Sequence, residues 1–250
     1  MSVSEVTVDR RGGLQNVVDI VVAPDAAFRR LREVPTWFWA FAVATVLGIV
    51  GSVLTIPALQ HAVNTGLSAE LASSPTVAQL PPDRQAAVVH QQLAFFRVFV
   101  QVAWILIPFA VLLIGLGQAL VLLIGDKIAH GSGSFGRYFA LSETVAVVGL
   151  GLSSIVVALI VFLRGADSFQ DFRSVQSVMP SAAMLVPGAN GALRGFLAVL
   201  QPFNLWAAAL LAIGMSTIGN VSRRAAWTTV IVMLVLNGLW TAFTASRQGG

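Results

Sequence analysis

From Trp37 to Phe243 the sequence runs as long apolar stretches separated by two short turns and two long, more polar loops. A helix needs about 20 mostly apolar residues to cross a hydrocarbon core about 30 Å thick, because each residue advances it about 1.5 Å. Five runs meet that length, at about 37–59, 99–124, 138–163, 203–221 and 227–243. Apolar runs this long, one after another, are not the pattern of buried helices in a water-soluble core. The predicted fold is therefore all-α: a polytopic integral membrane protein with five transmembrane helices in a domain spanning 37–245. The first run starts too far into the chain, and is too long, to be the core of a cleaved signal peptide, so it is expected to remain as an anchor.

Prolines punctuate this pattern. Pro108 lies inside the second run and predicts a bend there. Pro202 either kinks a fourth helix that begins near Phe196 or opens a new helix at its first turn. The second reading is preferred, because a helix start leaves the missing N–H free in any case; GALRGFLAVL then forms a separate, half-buried helix. The motif PPDRQ starts a helix at about Pro82 that can continue into the second span. The loop from Arg164 to about Leu200 mixes Gly, Pro and Ser with apolar residues; a plain connector is its expected role, with a segment lying on the outer leaflet as the alternative.

Ahead of the first span, Leu14, Val17, Val18 and Val21 repeat the spacing of one helical face. Pro24 and Asp25 suit a helix start, and Phe28 and Leu31 share a face while Arg29, Arg30 and Arg32 spread around the rest. Residues 14–36 are thus expected to form an in-plane amphipathic segment after a disordered stretch at 1–13. The arginines would meet anionic headgroups, each contributing about 1 kcal/mol, with Trp37 and Trp39 as interfacial anchors where the chain enters the bilayer. A plain stop signal after a disordered N-terminus is the alternative.

Composition agrees with the pattern. Hydrophobic residues make up 56% of the 250 and charged residues 10%, whereas a soluble domain carries about 25% charge. The small basic excess, 15 Lys and Arg against 11 Asp and Glu, forms no stripe of the kind that binds nucleic acid. With the N-terminus inside, Arg10, Arg11, Arg29, Arg30, Arg32, Lys127, Arg137, Arg223 and Arg224 crowd a short segment and two tight turns. Arg84, Arg97, Arg164, Arg173, Arg194 and Arg247 are spread over two long loops and a tail on the other side. Positive charge density therefore predicts a cytoplasmic N-terminus and an extracytoplasmic C-terminus in the inner (plasma) membrane.

Three stretches taken together, VVAPDAAFRRLREVPTWFWAF, GSGSFGRYFALSETVAVVG and LQPFNLWAAALLAIGMSTIGNVSRRAAWTTVIV, resemble the bacterial branch of the Yip1 domain family. The likeness extends over about residues 15–245. It implies a five-span membrane protein with a cytoplasmic N-terminus. It implies membership of the family more than any particular activity. Eukaryotic members are implicated in vesicle traffic through prenylated GTPases, partners a bacterial relative would not have. The proline often found inside the third span is absent from SETVAVVGLGL.

Candidate chemistry is sparse. GSGSFG, residues 131–136, matches the G-x-G-x-x-G spacing of dinucleotide sites. It follows a span instead of a strand, and no acidic residue lies about 20 positions on, so a connecting turn is the expected role. His61, His90 and His130 stand too far apart for a metal site, and no cysteine is present. No G-x-S-x-G turn is present, so no enzyme and no cofactor are expected. Glu143 is the one carboxylate inside a predicted span. A charge at a span centre costs about 2.5–3.5 kcal/mol, which makes such a residue a site hypothesis by default. Pairing with Arg137, Lys127 or His130 at the rim is the structural reading; an ion or proton site with Gln118, Asn204 and Asn237 is the functional one.

Small residues such as Ala44, Gly48, Gly115, Gly149 and Gly214 permit close helix approach, within the chain or against a neighbour. Two functional classes follow. The first is a noncatalytic scaffold or adaptor contacting membrane lipids, a membrane-protein partner or a second copy as a homo-oligomer. The second is a small transporter or channel using Glu143.

Overall fold

A computed structural model describes residues 10–67, 75–171, 174, 175 and 177–248. Of the disordered stretch expected at 1–13, residues 1–9 lie outside them, and 10–13 instead form the first turn of a helix. Helices account for all the regular structure among the described residues. The N-terminal pair is α1 (Arg10–Val22) and α2 (Pro24–Glu33). The first span is α3 (Phe38–Ala62), and the second combines α4 (Pro82–Val102) with α5 (Ile107–Ile128). The third combines α6 (Phe135–Ala146) with α7 (Ser153–Arg164). A short helix α8 (Gly191–Ala198) precedes the last two spans, α9 (Pro202–Gly219) and α10 (Arg223–Gln248).

Five helical stretches are long and apolar enough to cross a membrane: Phe38–Gly66, Pro82–Ile128, Phe135–Arg164, Pro202–Gly219 and Arg223–Arg247. Their alternation gives the bundle an N-face, which carries α1, α2 and the α5–α6 and α9–α10 turns, and an opposite face. Lipid is the natural solvent of the outer surface, where Leu113, Phe162, Leu163 and Trp240 are each more than 60% exposed. Burial inside the bundle falls to small and aliphatic residues, including Ala44, Ala119, Leu141, Ala208, Leu211 and Met215, as expected where close packing drives association.

Two spans depart from ideal α-helix. The second passes through a 3-10 turn at Ala103–Leu106 just ahead of Pro108. The proline therefore sits in the first turn of α5, where its missing N–H costs least. The third widens into a π-helical segment at Val147–Leu152. Widened turns of this kind concentrate at functional sites, because the looser winding re-aims side chains and opens space beside them. The fourth helix starts at Pro202, and α8 packs as a separate element along α10, where Thr241 Oγ1 donates to the Gly195 carbonyl at 2.9 Å.

The N-terminal helices dock on the bundle. Ala27, Phe28 and Leu31 of α2 are fully buried against α6 and α9, so the apolar face of this amphipathic helix meets protein, while Arg29 and Arg32 point outward. Arg30 turns back instead: its guanidinium pairs with Asp19 of α1, and Nε donates to Asn16 Oδ1 at 2.8 Å. Asn16 Nδ2 in turn donates to Thr36 Oγ1 at 3.2 Å. On α1 the exposed face carries Leu14, Val18, Val21 and Val22, an apolar stripe suited to the membrane surface. Because the Arg30 pair is partly solvent-exposed, Arg30→Gln should lower the thermal unfolding free energy in detergent by about 1 kcal/mol. Arg32→Gln should leave it within about 0.5 kcal/mol.

Candidate functional site

Two polar constellations lie within the spans. The first is at the N-face end of the second span. Helix α5 continues to Ile128, past the predicted limit near residue 124, and so carries a second carboxylate, Asp126, that is fully buried. The helix closes with a Schellman arrangement: the His130 N–H bonds to the Lys127 carbonyl at 3.2 Å, and the Gly131 N–H to that of Asp126 at 2.8 Å. His130 takes the left-handed conformation that this closure requires. The turn then folds over the Asp126 side chain. Tyr138 donates its hydroxyl to Oδ1 at 2.6 Å, the Gly133 N–H donates to Oδ2 at 3.1 Å, and Lys127 Nζ stands 3.3 Å from Oδ2.

The same turn caps the end of α9. Its last carbonyl, on Gly219, accepts from the Ser132 N–H at 2.8 Å and from Ser132 Oγ at 3.3 Å. A side chain at Gly219 would collide with both Asp126 Oδ1 and the Tyr138 hydroxyl, so only glycine fits there. GSGSFG is accordingly a built clasp joining the second, third and fourth spans.

The second constellation lies deeper. Glu143 on α6 is fully buried, and neither of its carboxylate oxygens has a hydrogen-bond partner among the described residues. Lys127 goes to Asp126, and neither Arg137 nor His130 forms an ion pair with Glu143. The carboxylate lies where a side chain on Gly115 of α5 would be. Gly115 belongs to the wall of an open-sided cavity of about 520 Å³ bounded by α5, α6, the π-helical segment, α9 and α10. Gln118, Ser142, Asn204 and Asn237 line it, and the Ser142 hydroxyl also lacks a partner. A second cavity, about 460 Å³, adjoins the first across Ile114, Gly149, Leu150 and Asn204. Gly149 lies in the π-helical segment, against Ala207 of α9.

The structure thus gathers Gln118, Asn204 and Asn237 around one cavity, while Glu143 packs against Gly115 and does not itself line that cavity. Asn204 also donates to the Val199 carbonyl at 3.0 Å, which fixes its amide at the start of α9. Trp37 packs on Phe139 at 5.3 Å between ring centroids, and Trp39 lies over Gly13 of α1. Sequence reading missed Asp126, because Gly125-Asp126-Lys127 resembles the polar end of a run. It also missed Ser142 and the π-helical segment, whose one sequence signal is the glycine pair in VVGLGL. Among the described residues no group of three His, Cys, Asp or Glu could hold a metal ion.

The Yip1 domain model matches residues 18–243, from within α1 to the last turns of α10. The chain belongs to the Yip1 domain family. It is also similar to the membrane protein YknW of Bacillus subtilis (strain 168), with 23% identity over 240 residues, covering 92% of this chain and 91% of that protein. No solved structure matches it. The matched region of this Yip1 protein includes the Asp126 clasp, both cavities and the docked α2.

Proposed function

We propose that this Yip1-family protein is a noncatalytic membrane adaptor. It resides in the inner (plasma) membrane with its N-face toward the cytoplasm and its C-terminus outside. The orientation is supported by the exposed Arg29, Arg32, Lys127, Arg223 and Arg224 concentrated on the N-face. The adaptor reading rests on α4. The helical stretch that contains it is 47 residues long, a contour of about 70 Å against a hydrocarbon core of about 30 Å. Within α4 only Val100 is buried, whereas Phe95, Val98, Phe99 and Val102 are all exposed and Phe95 stacks on Phe99 at 6.2 Å. An exposed apolar face of about two turns, with so little packing inside its own chain, suits contact with membrane lipids and with a second membrane protein or a second copy of the chain.

Transport of an ion or proton through Glu143 is the alternative, favoured by the unpartnered carboxylate and the two adjoining cavities. One pair of experiments separates the two. A photocrosslinker at Phe95 or Phe99 in native membranes should capture a discrete protein partner, and the purified chain in liposomes should show no Glu143-dependent ion flux. Flux that disappears in Glu143→Gln, with only lipid captured at both positions, would replace the adaptor by a transporter.

A further inference from the structure

We propose that the open-sided cavity between α5 and α10 binds a neutral lipid, a hydrocarbon chain carrying an uncharged hydroxyl or amide that the side chains of Gln118 and Asn237 recognise. The site is separate from α4 and stands whether or not α4 meets a partner. Near the N-face, α10 touches α5 where the Thr229 side chain packs on Gly125. Further along, α10 leans on α8 instead, with Phe196 against Gly238 and Thr241 donating to the Gly195 carbonyl. The cavity lies between these contacts, and Gly117 and Asn237 at its rim are exposed. Counted from the N-face ends of α5 and α10 at about 1.5 Å per residue, Gln118 lies about 15 Å deep and Asn237 about 20 Å, inside a hydrocarbon core about 30 Å thick. Water is scarce at that depth, so a side-chain amide there needs a partner from the protein or from the membrane. Of the three cavity amides only that of Asn204 makes a hydrogen bond among the described residues, to the Val199 carbonyl, which leaves Gln118 and Asn237 unmet.

The lining selects the class of ligand. Among the described residues no Asp, Glu, Lys, Arg or His lines this cavity or the one that adjoins it across Gly149 and Leu150. A charged group would therefore enter without a counter-ion, which is strongly unfavourable. A carboxamide presents both a donor and an acceptor. It suits a ligand group that does the same, a hydroxyl or an amide, better than an ester, which only accepts. The remaining wall is apolar, with Val145, Leu150, Leu211, Val230, Met233 and Leu234 placed to take a hydrocarbon chain. Size argues against a helix from another protein. One helical turn, about 10 Å across and 5.4 Å tall, already fills about 420 Å³, so a cavity of about 520 Å³ holds little more than one turn. The same volume falls in the range of about 300–1,000 Å³ that small-molecule sites occupy. The adjoining cavity, about 460 Å³, continues the apolar path toward Ala44 and Gly48 of α3 and gives a chain room to extend.

The test uses the full chain in phosphatidylcholine nanodiscs and three diazirine probes with identical alkyl tails, ending in a primary alcohol, in its methyl ether and in a trimethylammonium. Labelled residues are mapped by mass spectrometry and normalised to labelling at Leu236 and Leu239, on the exposed side of α10. The alcohol should label cavity residues about fivefold more than the ether, the ratio that one or two net hydrogen bonds give, and the trimethylammonium should label them no more than the ether does. In the double variant Gln118→Leu, Asn237→Leu the alcohol should fall to the ether's level. Gly117→Phe, whose new side chain meets open space at the rim, should suppress labelling of the cavity by the alcohol. Equal labelling by alcohol and ether in the wild-type protein overturns the proposal even if the variants fail to fold. Preferential labelling by the trimethylammonium probe overturns it too, as does an undiminished alcohol preference in a folded double variant. A benzophenone amino acid in place of Leu234 in native membranes reports the occupant: a lipid adduct is expected, and a protein adduct would assign the cleft to a partner's helix and overturn the lipid site.

Discussion

Asp126→Ala should destabilise the protein by about 3–5 kcal/mol, the cost of breaking a buried charged network by removing one partner. The substitution strips three groups at once. The Tyr138 hydroxyl and the Gly133 N–H lose their acceptor, and Lys127 loses its counter-charge. The turn that holds Ser132 over the last carbonyl of α9 then has nothing to fold around. Tyr138→Phe removes one hydrogen bond and should cost about 1–2 kcal/mol. Because both residues belong to one network, the double variant should lose less than the two single losses added together. Thermal midpoints of the wild type, both single variants and the double variant in one detergent give the comparison. Strict additivity, or an Asp126→Ala midpoint within a degree of wild type, would show that the carboxylate is not the centre of the clasp.

The clasp also shows what a sequence withholds. Hydropathy located the five spans because a span's transfer free energy is a sum over about 20 residues, most of one sign, and survives errors at any position. Pro202 was legible for a local reason, the low cost of proline in a first helical turn. Burial of Asp126 depends on partners far away in sequence, Tyr138 and the close approach at Gly219. No window centred on GDK contains them. Gln118, Asn204 and Asn237 were singled out by residue type alone, as polar groups in apolar runs. That they line one cavity follows from helix rotation and register, which hydropathy does not encode. The π-helical segment was invisible for a similar reason, since widening the turn changes the backbone ladder and not the composition.

The helical period of α2 predicted that Phe28 and Leu31 share a face, but a period cannot say what that face meets. In the fold it meets α6 and α9, and both side chains are fully buried. Phe28→Ala should therefore cost about 3–5 kcal/mol, the usual penalty for emptying a buried aromatic site. The loss should be felt first as local opening, because α2 is a short terminal element held mainly by this contact and by the Arg30 link to α1. At about 1.4 kcal/mol per factor of ten, the open population of α2 should rise a hundredfold or more. Amide exchange across 24–33 should accelerate accordingly, and trypsin should cut at Arg29, Arg30 and Arg32 in Phe28→Ala well before it cuts the wild type. Exchange within α5 and α9 should change far less. If α2 instead lay free on the membrane with Phe28 in lipid, the same substitution would weaken its membrane contact and leave the thermal midpoint of the bundle in detergent unchanged. A fall in midpoint together with exchange confined to the N-terminal helices is the signature of docking.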